Sequence, residues 1–181
     1  MLPVILNEDP KHIVPALWGY VPPWEKDPDD AYKSINARAE TAMSKPYFRS
    51  AFQQRRCLIL ADGFFEWQAQ SKMKKTPWWI SLKTREPFAF AGFWSKVHHR
   101  LHGDFLTFAI LTTEPNFLVS KVHDRMPVIL EPQDEKTWLT ARPETARQVL
   151  RPYPDDLLSA RPVSVLVNSP RNDVPEVLIP L

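Results

Sequence analysis

Between Arg56 and Thr113 the chain strings together apolar, aromatic-rich runs: RRCLILADGFFEWQA, TPWWISL, PFAFAGFWSKV and DFLTFAILTT. Only the short polar breaks QSKMKK, KTRE and HHRLHG separate them. Branched and aromatic side chains suit a pleated, half-buried surface, so these runs read as strands. Parallel neighbours need a crossover of about a dozen residues or more. Breaks this short therefore predict an antiparallel meander.

The flanks carry weaker patterns. KPYFRSAFQQ puts Tyr47, Phe48, Ala51 and Phe52 on one stripe, which predicts a helix of about two turns. PNFLVSKVH, PQDEKTWL and PETARQVL read as short helices, MPVIL as a strand, and RPVSVLV as a last strand before the extended tail NSPRNDVPEVLIPL. HIVPALWGYVPPW is too broken by proline to be helical, so the first third reads as irregular extended structure, with DPDD as a turn. The expected fold is α+β: one domain over residues 1–181, a curled, mainly antiparallel, barrel-like sheet with short peripheral helices.

Composition narrows the chemistry. The chain has 181 residues, with 19 prolines, 4 glycines and one cysteine. At this length roughly two-thirds of the unfolded surface can be buried, so neither disulfide nor metal is needed as a staple. Gly19, Gly63, Gly92 and Gly103 stand apart, which excludes a dinucleotide fingerprint, a P-loop and a GxSxG elbow. With Cys57 alone there is no intrachain disulfide, CxxC pair or cysteine-rich zinc site. A net charge of +2 permits a nucleic-acid surface without arguing for one. MLPVILNEDPK has no basic leader and is acidic by position 8, so neither a signal peptide nor a membrane span is expected.

Isolated polar residues in apolar surroundings are the candidates for function. Glu66, between Phe65 and Trp67, is either partly desolvated, with its pKa raised into an acid–base range, or on the wet face of an alternating strand. His123 in VHDRMP is either a general acid–base group or part of a charged turn. In INARAET, Asn36 and Arg38 share one side of a predicted strand. They either bind an anion or carbonyl oxygen or mark an ordinary strand-to-helix junction. His98, His99 and His102 have metal-like spacing but no cysteine or carboxylate set, so a solvated loop is the better reading. Arg55, Arg56, Arg125 and Arg171 with Trp18, Trp24 and Trp67 are candidates for a base-stacking, phosphate-binding surface, with two or three surface tryptophans at most.

WGYVPPW, INARAET, RRCLILADGFFEW, FAGFW, FAILTTEPN, VHDRMPVIL and VNSPRND occur in this order across essentially the whole chain. Together they resemble the SOS response-associated peptidase family, the abasic-site processing proteins that shield damaged single-stranded DNA. The resemblance implies chemistry at an N-terminal cysteine exposed by methionine removal. Its amine forms an imine with the ring-opened abasic aldehyde, and its thiol closes a thiazolidine, a covalent DNA–protein crosslink. It implies that Asn36 holds amine and substrate, that Glu66 is the acid–base carboxylate, and that His123 assists sugar ring opening. Arg38 is implied at a DNA phosphate, with Trp18, Trp24, Trp67 and Arg125 in the DNA-binding surface. It further implies self-processing peptidase and lyase-type activity in the DNA-damage response, a monomer needing no cofactor or metal, and a cytoplasmic location, at the nucleoid when on DNA.

One departure stands out. The family opens Met-Cys-Gly-Arg, whereas Leu2 follows Met1 here, and MLPVIL resembles the strand after that opening. The expectation is a domain incomplete at its N-terminus and lacking its nucleophile. Cys57 does not replace it: its amine is locked in a peptide bond, and its apolar neighbours predict a buried, inert thiol. A non-covalent single-stranded-DNA-binding pseudo-enzyme is the alternative. A peptidase pairing of Ser120 with His123 is the third reading.

Overall fold

A computed structural model describes residues 1–25, 34–71, 74–99 and 103–181. The expected DPDD turn and His102 lie outside the described residues. The chain forms two compact units. The first comprises Met1–Leu60, Ala89–Thr113 and Pro127–Arg151, the second Ala61–Phe88, Glu114–Met126 and Pro152–Leu181.

The first unit is built on a barrel. Its strands are β1 (Leu2–Leu6), β2 (Asp9–Trp18), β3 (Asn36–Arg38), β4 (Arg56–Ala61), β7 (Phe88–His99) and β8 (Gly103–Thr113). β1 pairs antiparallel with β2 and with β4, β4 neighbours β7, and β7 pairs antiparallel with β8. A short parallel contact, Leu17 to Thr107 and Trp18 to Phe108, joins β2 to β8 and closes the ring. β3 then runs parallel to β8 one step further on, with Asn36 opposite Ile110 and Arg38 opposite Thr112. Closure removes the free edges that an open sheet would expose.

Close packing explains where glycine sits. A Cβ on Gly92 would lie 2.3 Å from Ile59 Cδ1 and 2.6 Å from the Ala109 carbonyl oxygen, so only hydrogen fits there. Inside, the rings of Tyr20, Phe48 and Phe93 meet at centroid distances of 5.0 to 5.9 Å. The helix α2 (Pro46–Gln54) buries Phe48, Ala51 and Phe52, an i, i+3, i+4 stripe, with proline at its start where no N–H is needed. α4 (Pro132–Thr140), also opened by proline, buries Trp138, whose indole donates to the Cys57 carbonyl at 2.9 Å. Each such fully buried large side chain contributes about 1.5–3 kcal/mol. α1 (Ala39–Ala42) follows β3 directly, and α5 (Pro143–Ala146) follows α4.

The second unit holds β5 (Phe64–Ala69), β6 (Lys75–Leu82) and β11 (Leu158–Pro162) in the order β11-β6-β5, all antiparallel. Residues directly opposite share a face. The register therefore puts Glu66 beside Trp78 and Gln68 beside Thr76 on one face, with Phe65, Trp79 and Arg161 in a row on the other. The helix α3 (Phe117–Ser120) and 3-10 turns at Val165–Asn168 and Pro175–Leu178 complete the unit. Two-residue strands β9 (Met126–Pro127) and β10 (Ile129–Leu130) take the place of the single strand expected at MPVIL. Between them Val128 turns its N–H to the Leu111 carbonyl.

The fold class expected from the sequence is the one found, with local differences. The first third is a regular hairpin of β1 and β2, not irregular chain. Pro3 lies opposite Pro15, and since neither nitrogen can donate, the pair fits a position that sends no N–H across the ladder. The meander is not continuous: β4 stays with β1 and β7, while β5 and β6 pair in the other unit. The last strand is LSARP rather than RPVSVLV. Ser164 accepts the Leu166 N–H and starts a 3-10 turn, so the apolar VLV leaves the sheet.

Candidate active site

β5 begins after a tight turn at Asp62 and Gly63. A Cβ on Gly63 would lie 2.2 Å from the Trp79 indole, so the turn packs against that ring. The strand then presents Glu66, whose side chain is only 21% exposed. α3 supplies the opposing group. Asn116 caps this one-turn helix, accepting the Val119 N–H at 2.9 Å and donating to the Tyr153 carbonyl at 2.7 Å. Beyond the helix the His123 N–H bonds back to the Val119 carbonyl.

His123 Nδ1 then lies 3.9 Å from Glu66 Oε2 and 3.4 Å from Asp124 Oδ1. It also sits 3.1 Å from both the N–H and the carbonyl of Arg125. One ring nitrogen thus faces a donor and several acceptors. Unprotonated, Nδ1 accepts the Arg125 N–H and leaves the proton on Nε2. Protonated, it donates to the carbonyl or toward the carboxylates. Burial pushes the Glu66 carboxyl up from its ordinary range, and the Asp124 carboxylate adds to this; the attraction of His123 and the Trp67 N–H pull the other way. A carboxyl biased toward its neutral form, in reach of an imidazole, is suited to general acid–base work. Of the two readings of Glu66, the half-buried one is what the fold produces.

The other sequence candidates distribute as follows. In β3, Asn36 and Arg38 are exposed on either side of the buried Ala37, as strand alternation requires. Trp18 and Trp24 are 40% and 61% exposed; Trp18 donates to the Ile35 carbonyl at 2.8 Å, and Trp24 sits edge-on to Tyr47. In the second unit Trp67 donates to Asn168 Oδ1 at 2.7 Å, and Arg125 is half-buried beside His123. Asp124 lies in the HDRMP motif and Asn168 in VNSPRND, but neither stands out as a site residue in the sequence.

Some candidates have structural duties instead. Arg56, 4% exposed, donates to the carbonyls of Phe52, Gln53, Trp138, Leu139 and Ala141, so it is no phosphate ligand. Arg55 stacks over Trp94. His98 lies on β7, not in a loop, and pairs with Asp104 at 2.6 Å. Among the described residues no group of three or more His, Cys, Asp or Glu is placed to hold a metal ion. Cys57 is fully buried, and burial pushes its thiol far up, which keeps it protonated and inert. Ser120 donates its hydroxyl to the Phe117 carbonyl, a helix contact rather than a nucleophile's. A separate hollow of about 320 Å³, lined by Asp62, Phe65, Trp79, Asp173 and the 3-10 turn at Pro175–Leu178, lies on the sheet face carrying Phe65.

Comparison with known proteins places this arrangement in context. Residues 1–170 match the family model described as SOS response associated peptidase. The abasic site processing protein YoqW of Bacillus subtilis is 45% identical over 164 residues, covering 89% of this chain and 73% of that protein. The abasic site processing protein HMCES of Gallus gallus is 31% identical, with 91% of this chain matched to 56% of that longer protein. A crystal structure of a Bacteroides thetaiotaomicron protein superposes with a TM-score of 0.87 at 28% identity, over 99% of this chain and 80% of that one.

Proposed function

This chain belongs to the SOS response associated peptidase family, and from that premise we propose that it acts on abasic sites in single-stranded DNA, with Glu66 and His123 as the proton-transfer pair that opens the abasic sugar. The observation that carries the reading is the pair itself: a half-buried carboxyl with a raised pKa and an imidazole 3.9 Å away on one unit. Ring opening of the hemiacetal needs a base and an acid together. The anomeric hydroxyl gives its proton to the carboxylate, the bond from the anomeric carbon to the ring oxygen breaks, and the ring oxygen takes a proton from the imidazolium. The products are a free aldehyde and a hydroxyl, with no net gain or loss of protons. A carboxyl that burial biases toward its neutral form, facing an imidazole, suits both halves. Arg38 and Arg125 are proposed as phosphate contacts, and Trp18, Trp24 and Trp67 as stacking platforms. Asn36 is proposed to hydrogen-bond the substrate.

The covalent step in this reading, thiazolidine formation, needs an amine and a thiol on adjacent carbons, as in an N-terminal cysteine. The cysteine of this sequence, Cys57, is buried with its amine in a peptide bond, so it is not the proposed nucleophile. Sugar opening is the step proposed for Glu66 and His123. The second reading is a purely non-covalent single-strand-binding module, favoured by the exposure of Trp18, Trp24 and Arg38.

One experiment separates them. An abasic single-stranded oligonucleotide is mixed with an alkoxyamine, which captures only the open aldehyde, and the oxime is followed with and without protein. Faster capture in the presence of the protein, lost in His123→Ala, supports sugar opening. Salt-dependent binding with unchanged or slower capture supports the module and overturns the proton-transfer pair.

A further inference from the structure

We propose that Gln68 is the positioning residue that sets the Glu66–His123 distance, an inference that rests on reading those two as the proton-transfer pair. Glu66 and Gln68 are two apart on β5, so they project from the same face. Gln68 Nε2 donates to the Lys121 carbonyl at 2.6 Å, across 53 residues of sequence. That carbonyl lies just past the end of α3, where helical carbonyls run out of intrahelical partners. The Lys121 side chain is occupied elsewhere, its ammonium 4.2 Å from the Phe117 ring centre, so only the backbone of this residue serves β5.

From Lys121 the chain reaches His123 in two residues, while Gln68 is two residues from Glu66. One side-chain amide thus closes a small loop of structure whose two free members are the reacting groups. Within the segment the N–H groups of Val122 and His123 both go to the Val119 carbonyl. Those bonds shape the turn but leave it unattached to β5. Gln68 supplies that attachment. Gln70, on the same face, lies 3.4 Å from Gln68 through its own amide and helps orient it with the oxygen accepting and the nitrogen turned toward Lys121. The groups around the histidine are Glu66, Asp124 and the Arg125 backbone. Of these carboxylates only Glu66 is on another element, so it is the interaction most sensitive to movement of α3 against β5.

The test is a coupling cycle read by the rate of alkoxyamine capture with the full chain and an abasic single strand. Glu66→Gln is expected to slow capture in the wild type. Gln68→Met keeps the length of the side chain and deletes the donor. In the Gln68→Met background, Glu66→Gln is expected to change the rate far less than it does in the wild type. A role confined to stability would lower Tm and leave the effect of Glu66→Gln intact, and that result overturns the proposal. If Glu66→Gln has no effect even in the wild type, the pair itself fails, a distinguishable outcome that removes the premise. Gln68→Ala reads the same quantity should the methionine variant not fold.

Discussion

In the barrel unit Arg56 sits 4% exposed with its guanidinium enclosed by backbone carbonyls, and Cys57 beside it is fully buried and inert. In the sheet unit Glu66 is also held away from solvent, but less completely: its side chain keeps a fifth of its surface in solvent and faces an imidazole. The charged residue of the barrel is sealed by main-chain partners that cannot change protonation. The charged residue of the sheet is held by one that can. The comparison teaches how a polar group sealed by the backbone differs from one faced by a titratable partner, and it does so within one chain. Variants that confine their effect to one side sharpen it.

The largest effect is expected at Arg56. Arg56→Ala leaves several buried carbonyls without a donor, and the loss is expected to be about 3–5 kcal/mol of unfolding free energy, measured by urea denaturation. The folded fraction should still bind abasic single strands with undiminished affinity. Weaker binding by protein shown to be folded would make Arg56 part of a phosphate site after all and erase the contrast.

Glu66→Gln should do the reverse. The rate of alkoxyamine capture is expected to fall by about a hundredfold, within the usual range for losing a general acid or base, with Tm changed by only a few degrees. Retained capture with a collapsed Tm would place Glu66 with Arg56 as a structural residue.

Smaller again are the two close-packed glycines. Gly92→Ala must move either Ile59 or the Ala109 backbone inside the barrel and is expected to cost about 1–3 kcal/mol. Gly63→Ala drives a methyl into the Trp79 indole at the start of β5, so it should disturb sugar opening as well as stability. Equal losses of activity per unit of stability in both variants would contradict the division between units.

Much of this was legible in the sequence because alternation and aromatic content report burial directly. The runs from Arg56 to Thr113, the helix at Pro46–Gln54 and the strand position of Asn36 and Arg38 follow from spacing alone. The β1–β2 hairpin was hidden because prolines remove N–H donors, and only the partner strand tells whether a donor was needed. The split of β4 from β5 was also hidden, since RRCLILADGFFEWQA reads as one apolar run while its two strands go to different sheets. At the site, Glu66 and His123 were visible as isolated polar residues. Their distance was not, because it depends on α3 being anchored through Asn116 to the Tyr153 carbonyl and tied by Gln68, contacts that span 37 and 53 residues. Arg56 illustrates the converse: an arginine before an apolar strand looks like a surface cation until α4 supplies the carbonyls that enclose it.

The smallest effect concerns the pH dependence of stability, and it tests the Glu66 environment without DNA. Burial raises the folded-state pKa of Glu66 above its ordinary 4.5, so between those two values the native state binds more protons than the unfolded state. Stability therefore falls as pH rises through this window. The contribution is fully present below the unfolded value and is lost once the folded carboxyl ionises. In Glu66→Gln the group cannot ionise, so the variant should gain on the wild type as pH rises and hold that gain at neutral pH, with the two curves running parallel at acid pH. Paired urea titrations from acid to neutral pH would show it. A variant that instead loses ground as pH rises would mean that attraction to His123 outweighs desolvation. The carboxylate would then be held charged by its partner, resembling Arg56 in being fixed in one state, and the contrast between the two units would rest on the imidazole alone.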